Sequence, residues 1–215
     1  MLKAKSDVVI VVPLMLFVML LSAIPVFASN YNRTNAAAYA DNWAHDRNSA
    51  YKNYGTGCGC EDCTNFVSQA LYNGGYPMRT GSWNTESYFE WWFRTVLLVK
   101  QNSKTWSATD WFNVYVAQYP GEFQYVISYA NLAKGDFFLL DLNGDGSPDH
   151  ARFVVGNGYT STDQGDYTDG CGVNNTIPSQ TYTLLIDQHC VDRKHVAWNY
   201  NLPGSVGRWY YHVTW

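Results

Sequence analysis

Asp62-Cys63-Thr64-Asn65-Phe66-Val67-Ser68-Gln69-Ala70-Leu71 is the stretch around which this chain is organised. Its apolar residues Phe66, Val67, Ala70 and Leu71 fall at i, i+1, i+4 and i+5, which is the stripe of an amphipathic helix. Gly74-Gly75 then stops it. Asp62 is a favoured N-cap residue, so Cys63 belongs to the first helical turn. Unpaired amides and the helix dipole favour negative charge there. A thiol so placed is expected to titrate low and to act as a nucleophile. The same amides can stabilise an oxyanion.

Outward from this helix the pattern predicts an α+β domain. Upstream, the Ala-rich run from Tyr31 to Tyr51 reads as a first helix, with Ala36, Ala40, Trp43 and Ala44 on one stripe. Gly55-Thr56-Gly57-Cys58-Gly59-Cys60 reads as a turn. Downstream, Ser107-Ala-Thr-Asp110 reads as a capping box with Asp in place of Glu, opening a helix through Trp111, Val114, Tyr115 and Gln118. Beyond Tyr119-Pro120-Gly121 the signal changes. Phe137–Leu140, Ala151–Val155, Tyr182–Ile186 and Trp209–Val213 are short β-type runs between turn residues, and 157–180 reads as a long polar loop. Helices first and strands later predict N-terminal helices packed on a central antiparallel sheet.

The first 28 residues are expected to be removed. Lys3 and Lys5 give a basic start, Val8–Ile24 is almost wholly apolar, and Val26-Phe27-Ala28 ends on the small-residue pattern of a signal-peptidase site. Residues 29–215 then form one secreted domain, with no membrane attachment after cleavage. Of the 215 residues, 47% are hydrophobic and 17% aromatic, and the net charge is −4. A weakly acidic chain offers nothing to nucleic acid or to an anionic membrane surface. Its rings suit a core, or a cleft for peptides or sugars.

A thiolate needs a base, and the base needs an orienting group. His150 opens one expected strand and His189 closes another, so adjacent antiparallel strands bring them to one sheet edge. His45 is expected to be solvated, and neither His195 nor His212 has a comparable placement. Asp187, two residues before His189, shares its face and rivals it as the orienting group. Asp62 and Tyr54 are candidates for support of the nucleophile and the oxyanion.

The stretch 62–71, with Gly74-Gly75 and Pro77-Met78 after it, closely resembles the nucleophile motif of the putative amidase domain family. That family belongs to the papain-like clan, beside NlpC-type cell-wall peptidases. Further resemblances follow in the family's order: Tyr31–Ala40, Ser103-Lys-Thr-Trp106, Lys134-Gly-Asp136, Asp149-His150 and His189-Cys-Val-Asp-Arg193, with Cys190 where Thr is usual. The resemblance implies a papain-like fold, Cys63 as nucleophile, His150 as base and a third polar residue on the next strand, assigned to His189. It implies hydrolysis of amide bonds in peptide or peptidoglycan-like substrates. A non-catalytic cell-wall module and an acyltransferase with the same triad are the alternatives.

Two further patterns concern metals and disulfides. Asp141, Asn143, Asp145 and Asp149 occupy positions 1, 3, 5 and 9 of a calcium-loop pattern with Gly146 at 6, but Arg152 stands where the bidentate Glu belongs. A structural calcium ion is therefore a cofactor the sequence suggests, beside a less regular zinc pattern at Cys58, Cys60, Cys63 and a His, and none is required for the chemistry. With Cys63 reserved, Cys58, Cys60, Cys171 and Cys190 can pair in three ways in an oxidising compartment.

Overall fold

The computed structural model describes residues 30–55, 61–161, 180–202 and 204–215. The expected signal segment, the Gly/Cys turn at 56–60 and residues 162–179 lie outside them. Among the described residues no helix is long and apolar enough to cross a membrane.

Helix α1 spans Arg33–Trp43 and α2 spans Cys63–Asn73. Strands β1 (Phe93–Val96) and β2 (Val99–Asn102) form a separate hairpin. Two short helices follow, α3 (Lys104–Ser107) and α4 (Thr109–Gln118). The remaining strands are β3 (Phe123–Val126), β4 (Phe137–Asp141), β5 (His150–Tyr159), β6 (Tyr182–Gln188), β7 (Arg193–Ala197) and β8 (Gly207–Val213). They build one antiparallel sheet in the order β3-β8-β4-β5-β6-β7. The α+β class with an antiparallel sheet thus stands as the sequence pattern predicts.

Alternation along the strands divides the core between the two sheet faces. Phe137, Leu139, Ala151, Phe153, Val155, Leu185, Tyr211 and Val213 pack with α1, α2 and α4. Phe138, Leu140, Val154, Leu184, Ile186, Val196 and Tyr210 pack on the other face, under Trp198, Tyr200 and Leu202. The unbroken apolar run Phe137–Leu140 is therefore a strand covered on both sides.

Local details depart from the expected boundaries. Helix α1 ends at Trp43 rather than reaching Tyr51, and beyond it Arg47 turns inward to pair with Asp62 and Asp192. Ser107 ends α3 instead of capping α4, and its hydroxyl accepts from Asn102 Nδ2 at 2.9 Å. Strand β5 runs on through Tyr159, beyond the expected loop start at 157. Strands β3 and β7 and the β1–β2 hairpin were not predicted: each is four or five residues long, too short for a clear period.

Candidate active site

Cys63 is the first residue of α2 and is 5% exposed. Among the described residues it is the free cysteine. It borders a cleft of about 420 Å³ shared with Tyr54, Glu61, Thr109, Asp110, Asn143, Asp145 and Asp149. Its Sγ lies 3.7 Å from Thr109 Oγ1 and 3.8 Å from Thr64 Oγ1, and the two hydroxyls are 2.7 Å apart. The Ala151 backbone N–H also reaches the sulfur. Burial pushes the thiol up from its ordinary value, and the contacts from Thr109, Ala151 and Thr64 only partly oppose it. The low-titrating thiol expected from helix position alone is thus outweighed by desolvation.

His150 opens β5 as expected, one residue before the amide that touches Cys63. The two side chains share no hydrogen bond. Ala151, Phe153 and Val155 face α2, whereas His150 is in phase with Val154 on the opposite face. The ring is buried, and its Nε2 lies 3.4 Å from Gln188 Oε1. Gln188 Nε2 donates to Val191 O at 2.8 Å, which fixes the amide orientation and turns Oε1 toward the ring. Nε2 is therefore the protonated nitrogen and Nδ1 the basic one. Burial, aided by the Arg152 guanidinium and opposed by Gln188, pushes the His150 pKa down to about 3. The resting pair is a neutral thiol and a neutral imidazole.

The structure gives His189 and Asp187 other partners than His150. His189 Nδ1 lies 2.6 Å from Asp62 Oδ2, and its Nε2 lies 2.7 Å from Trp43 O. Both ring nitrogens are spent, and the ring stacks on Phe66 at 4.0 Å. Asp187 faces the α1 side instead, where its Oδ1 accepts from the His195 backbone N–H at 2.7 Å. Burial, reinforced by the Asp41 carboxylate and opposed by that hydrogen bond, pushes its pKa up to about 8. Gln188, which the sequence reading missed, is the polar group at His150. Alternation from His189 selects residue 187 and skips 188, whereas β6 ends at Gln188 with a register shift after Ile186.

Asp62 sits at the N-cap of α2, but its side chain makes no cap. Its Oδ1 accepts from Asn65 Nδ2 at 2.7 Å, and its Oδ2 meets His189 and the Arg47 Nε at 2.7 Å. Arg47 also holds Asp192 through two hydrogen bonds of 2.8 Å. The Asp62 backbone N–H points at Cys190 Sγ, 3.0 Å away. Cys190 is in a disulfide whose partner lies outside the described residues. Tyr54 lines the cleft, but its hydroxyl donates to Asn102 Oδ1 at 2.5 Å.

In the Asp141–Asp149 loop, oxygens expected to face a cation accept from the loop's own amides. Asp141 takes those of Gly144, Asp145 and Gly146, and Asp149 those of Leu142 and Asn143. Asn143 and Asp145 form the same kind of turn with Asp145 and Ser147.

Residues 30–213 match the family model described as a putative amidase domain. The chain belongs to that family. The amidase domain spans both helices of the site and all six strands of the main sheet. The chain is also similar to the uncharacterized protein YhbB of Bacillus subtilis (strain 168), at 35% identity over 132 residues. The match covers 60% of this chain and 38% of YhbB, so this amidase domain protein spans well under two thirds of that relative. No solved structure matches.

Proposed function

We propose that this protein is a secreted cysteine amidase that hydrolyses amide bonds in peptide or peptidoglycan-like substrates. The observation that carries the reading is the position of Cys63. A free thiol opens a helix at the floor of a cleft, against the backbone of the strand that His150 begins, in a chain of the amidase domain family. A nucleophile on a helix, a His opening one strand and a polar residue ending the neighbouring antiparallel strand resembles the order of papain-like and NlpC-type enzymes. The disulfide at Cys190 suits an oxidising compartment, as does the expected signal segment.

In the reaction, the His150 ring brings Nδ1 to the thiol while its Nε2–H stays with Gln188 Oε1. As the first residue of the strand, His150 turns at the sheet's end rather than within it. Nδ1 takes the Cys63 proton as sulfur attacks the carboxamide carbon. The Cys63 N–H and the Thr109 hydroxyl stabilise the oxyanion, with the N-termini of α2 and α4 both at the sulfur. The imidazolium protonates the leaving amine, and water then releases the acid. Glu61, Asp110, Asp145 and Asp149 line the cleft together with neutral residues. That lining favours substrates with an amine near the scissile bond.

The separation of thiol and imidazole at rest favours one second reading, a non-catalytic module that retains the fold. Incubating the 29–215 protein and its Cys63→Ala variant with purified peptidoglycan, with fragments read by mass spectrometry, decides between them. Fragments released only by the unaltered protein support the amidase. No release from either leaves the binding module, and equal release from both would mean hydrolysis that does not use Cys63 and overturn the reading. Amine incorporation into the fragments would mark an acyltransferase instead.

A further inference from the structure

We infer that Asp41, Asp187 and His195 form a divalent-cation site, separate from the Cys63 cleft and independent of the amidase reading. Asp41 comes from α1, Asp187 from β6 and His195 from β7. One ligand atom from each lies within 4.8 Å of the other two, and among the described residues no other set of three His, Cys or acidic side chains meets this closely. His195 Nε2 lies 2.5 Å from Asp41 Oδ1.

The buried member of the group points to an ion. Asp187 is fully buried, and its Oδ1 takes the His195 backbone N–H. Its Oδ2 is also buried, and no amide, hydroxyl or amine among the described residues donates to it; the group beside Asp187 is the Asp41 carboxyl. Two carboxyls this close, one of them buried, are costly unless a proton or a cation sits between them. A cation between the three side chains removes that cost and separates the two carboxylates. The Asp41 and His195 side chains are each 35% exposed, so the ion has a path in and positions for water. Lys194, beside His195, acts on Asp41 and tempers the negative charge.

The ligand set selects the metal class. One imidazole with two carboxylates suits zinc or manganese better than calcium, which takes oxygen alone. Zinc bonds of about 2.0–2.2 Å put tetrahedral ligand atoms roughly 3.4 Å apart. His195 Nε2 and Asp41 Oδ1, 2.5 Å apart, would part by about an ångström to admit the ion, and the Asp187 oxygen already lies within 4.8 Å of both. The site ties α1 to β6 and β7 at the residue before Gln188, so the ion would brace the strand end that backs His150.

The test is zinc binding by the full chain after chelator treatment, read by equilibrium dialysis and by thermal melting. About one ion per chain and a melting temperature that rises with zinc are expected. Asp41→Asn and His195→Asn should each weaken binding at least tenfold while keeping the circular dichroism spectrum; Asn tolerates the positive φ of 52° at His195. Cys63→Ala and Asp145→Asn should bind as the unaltered protein does. No bound zinc, undiminished affinity in both ligand variants, or loss of binding in Cys63→Ala or Asp145→Asn would overturn the assignment.

Discussion

The Nε2 of His150 lies 3.4 Å from Oε1 of Gln188, the residue between the two groups that the sequence offers for that place. Because Val191 O holds the other end of the amide, Gln188 can only accept from the ring. It thus selects the tautomer whose free nitrogen is Nδ1. Gln188→Ala is expected to lower kcat about tenfold to a hundredfold, part of the roughly 10²–10⁴ that positioned proton transfer supplies. The limb of the pH–rate profile set by His150 should move with it, while KM and the melting temperature change little. An unchanged profile would leave Gln188 a structural residue.

His189 and Asp62 are expected to behave in the opposite way. Both are fully or almost fully buried, and each removal strands the other, with Arg47 alongside. Losing one member of such a group costs about 3–5 kcal/mol. Urea unfolding of His189→Ala and Asp62→Ala should show losses of that order. Full stability with activity abolished would instead return His189 to the catalytic set.

His150 makes stability depend on pH with a defined sign. Its pKa is about 3 in the fold and near 6.5 in the unfolded chain. Between those values the unfolded state holds the extra proton, so stability rises with pH across that window. The contribution is complete above about pH 6.5 and is lost as pH falls toward 3. His150→Gln removes it, so the stability difference between the two proteins should change across this range. Parallel curves from pH 7 to 4 would contradict the buried neutral ring.

The thiol should be slow to alkylate. Burial holds Cys63 above the ordinary cysteine range, so iodoacetamide labelling should be weak at neutral pH and climb on the alkaline side. Thr109→Val removes a contact that favours the thiolate and should shift the curve further up. Rapid labelling at pH 6, read by intact-mass spectrometry, would mean that thiol and imidazole are already paired at rest.

Much of the fold was legible because periodicity is strong where elements are long or fully buried. The α2 stripe, the Phe137–Leu140 run, the strand that His150 opens and the strand that ends just before His189 all lie where the pattern puts them. The site was legible only in part, for three physical reasons. A side chain's partners depend on register, and the shift at the end of β6 defeats simple alternation at 187–189. Helix position says nothing of desolvation, which governs the Cys63 thiol. Asp62 reads as a cap from its type, yet a buried Arg47 and His189 compete for the same carboxylate and win.

Trp106 is fully buried in the aromatic cluster, 4.5 Å from Trp91 between ring centroids, and its indole N–H donates to Asn65 Oδ1 at 2.9 Å. Asn65 in turn grips Asp62, immediately before the nucleophile. The molecule thereby carries its own optical gauge: a disturbance at the start of α2 reaches an indole through two hydrogen bonds. Trp106 is one of nine tryptophans in the chain, so the gauge is read as the part of the intrinsic emission change that is lost in Trp106→Phe.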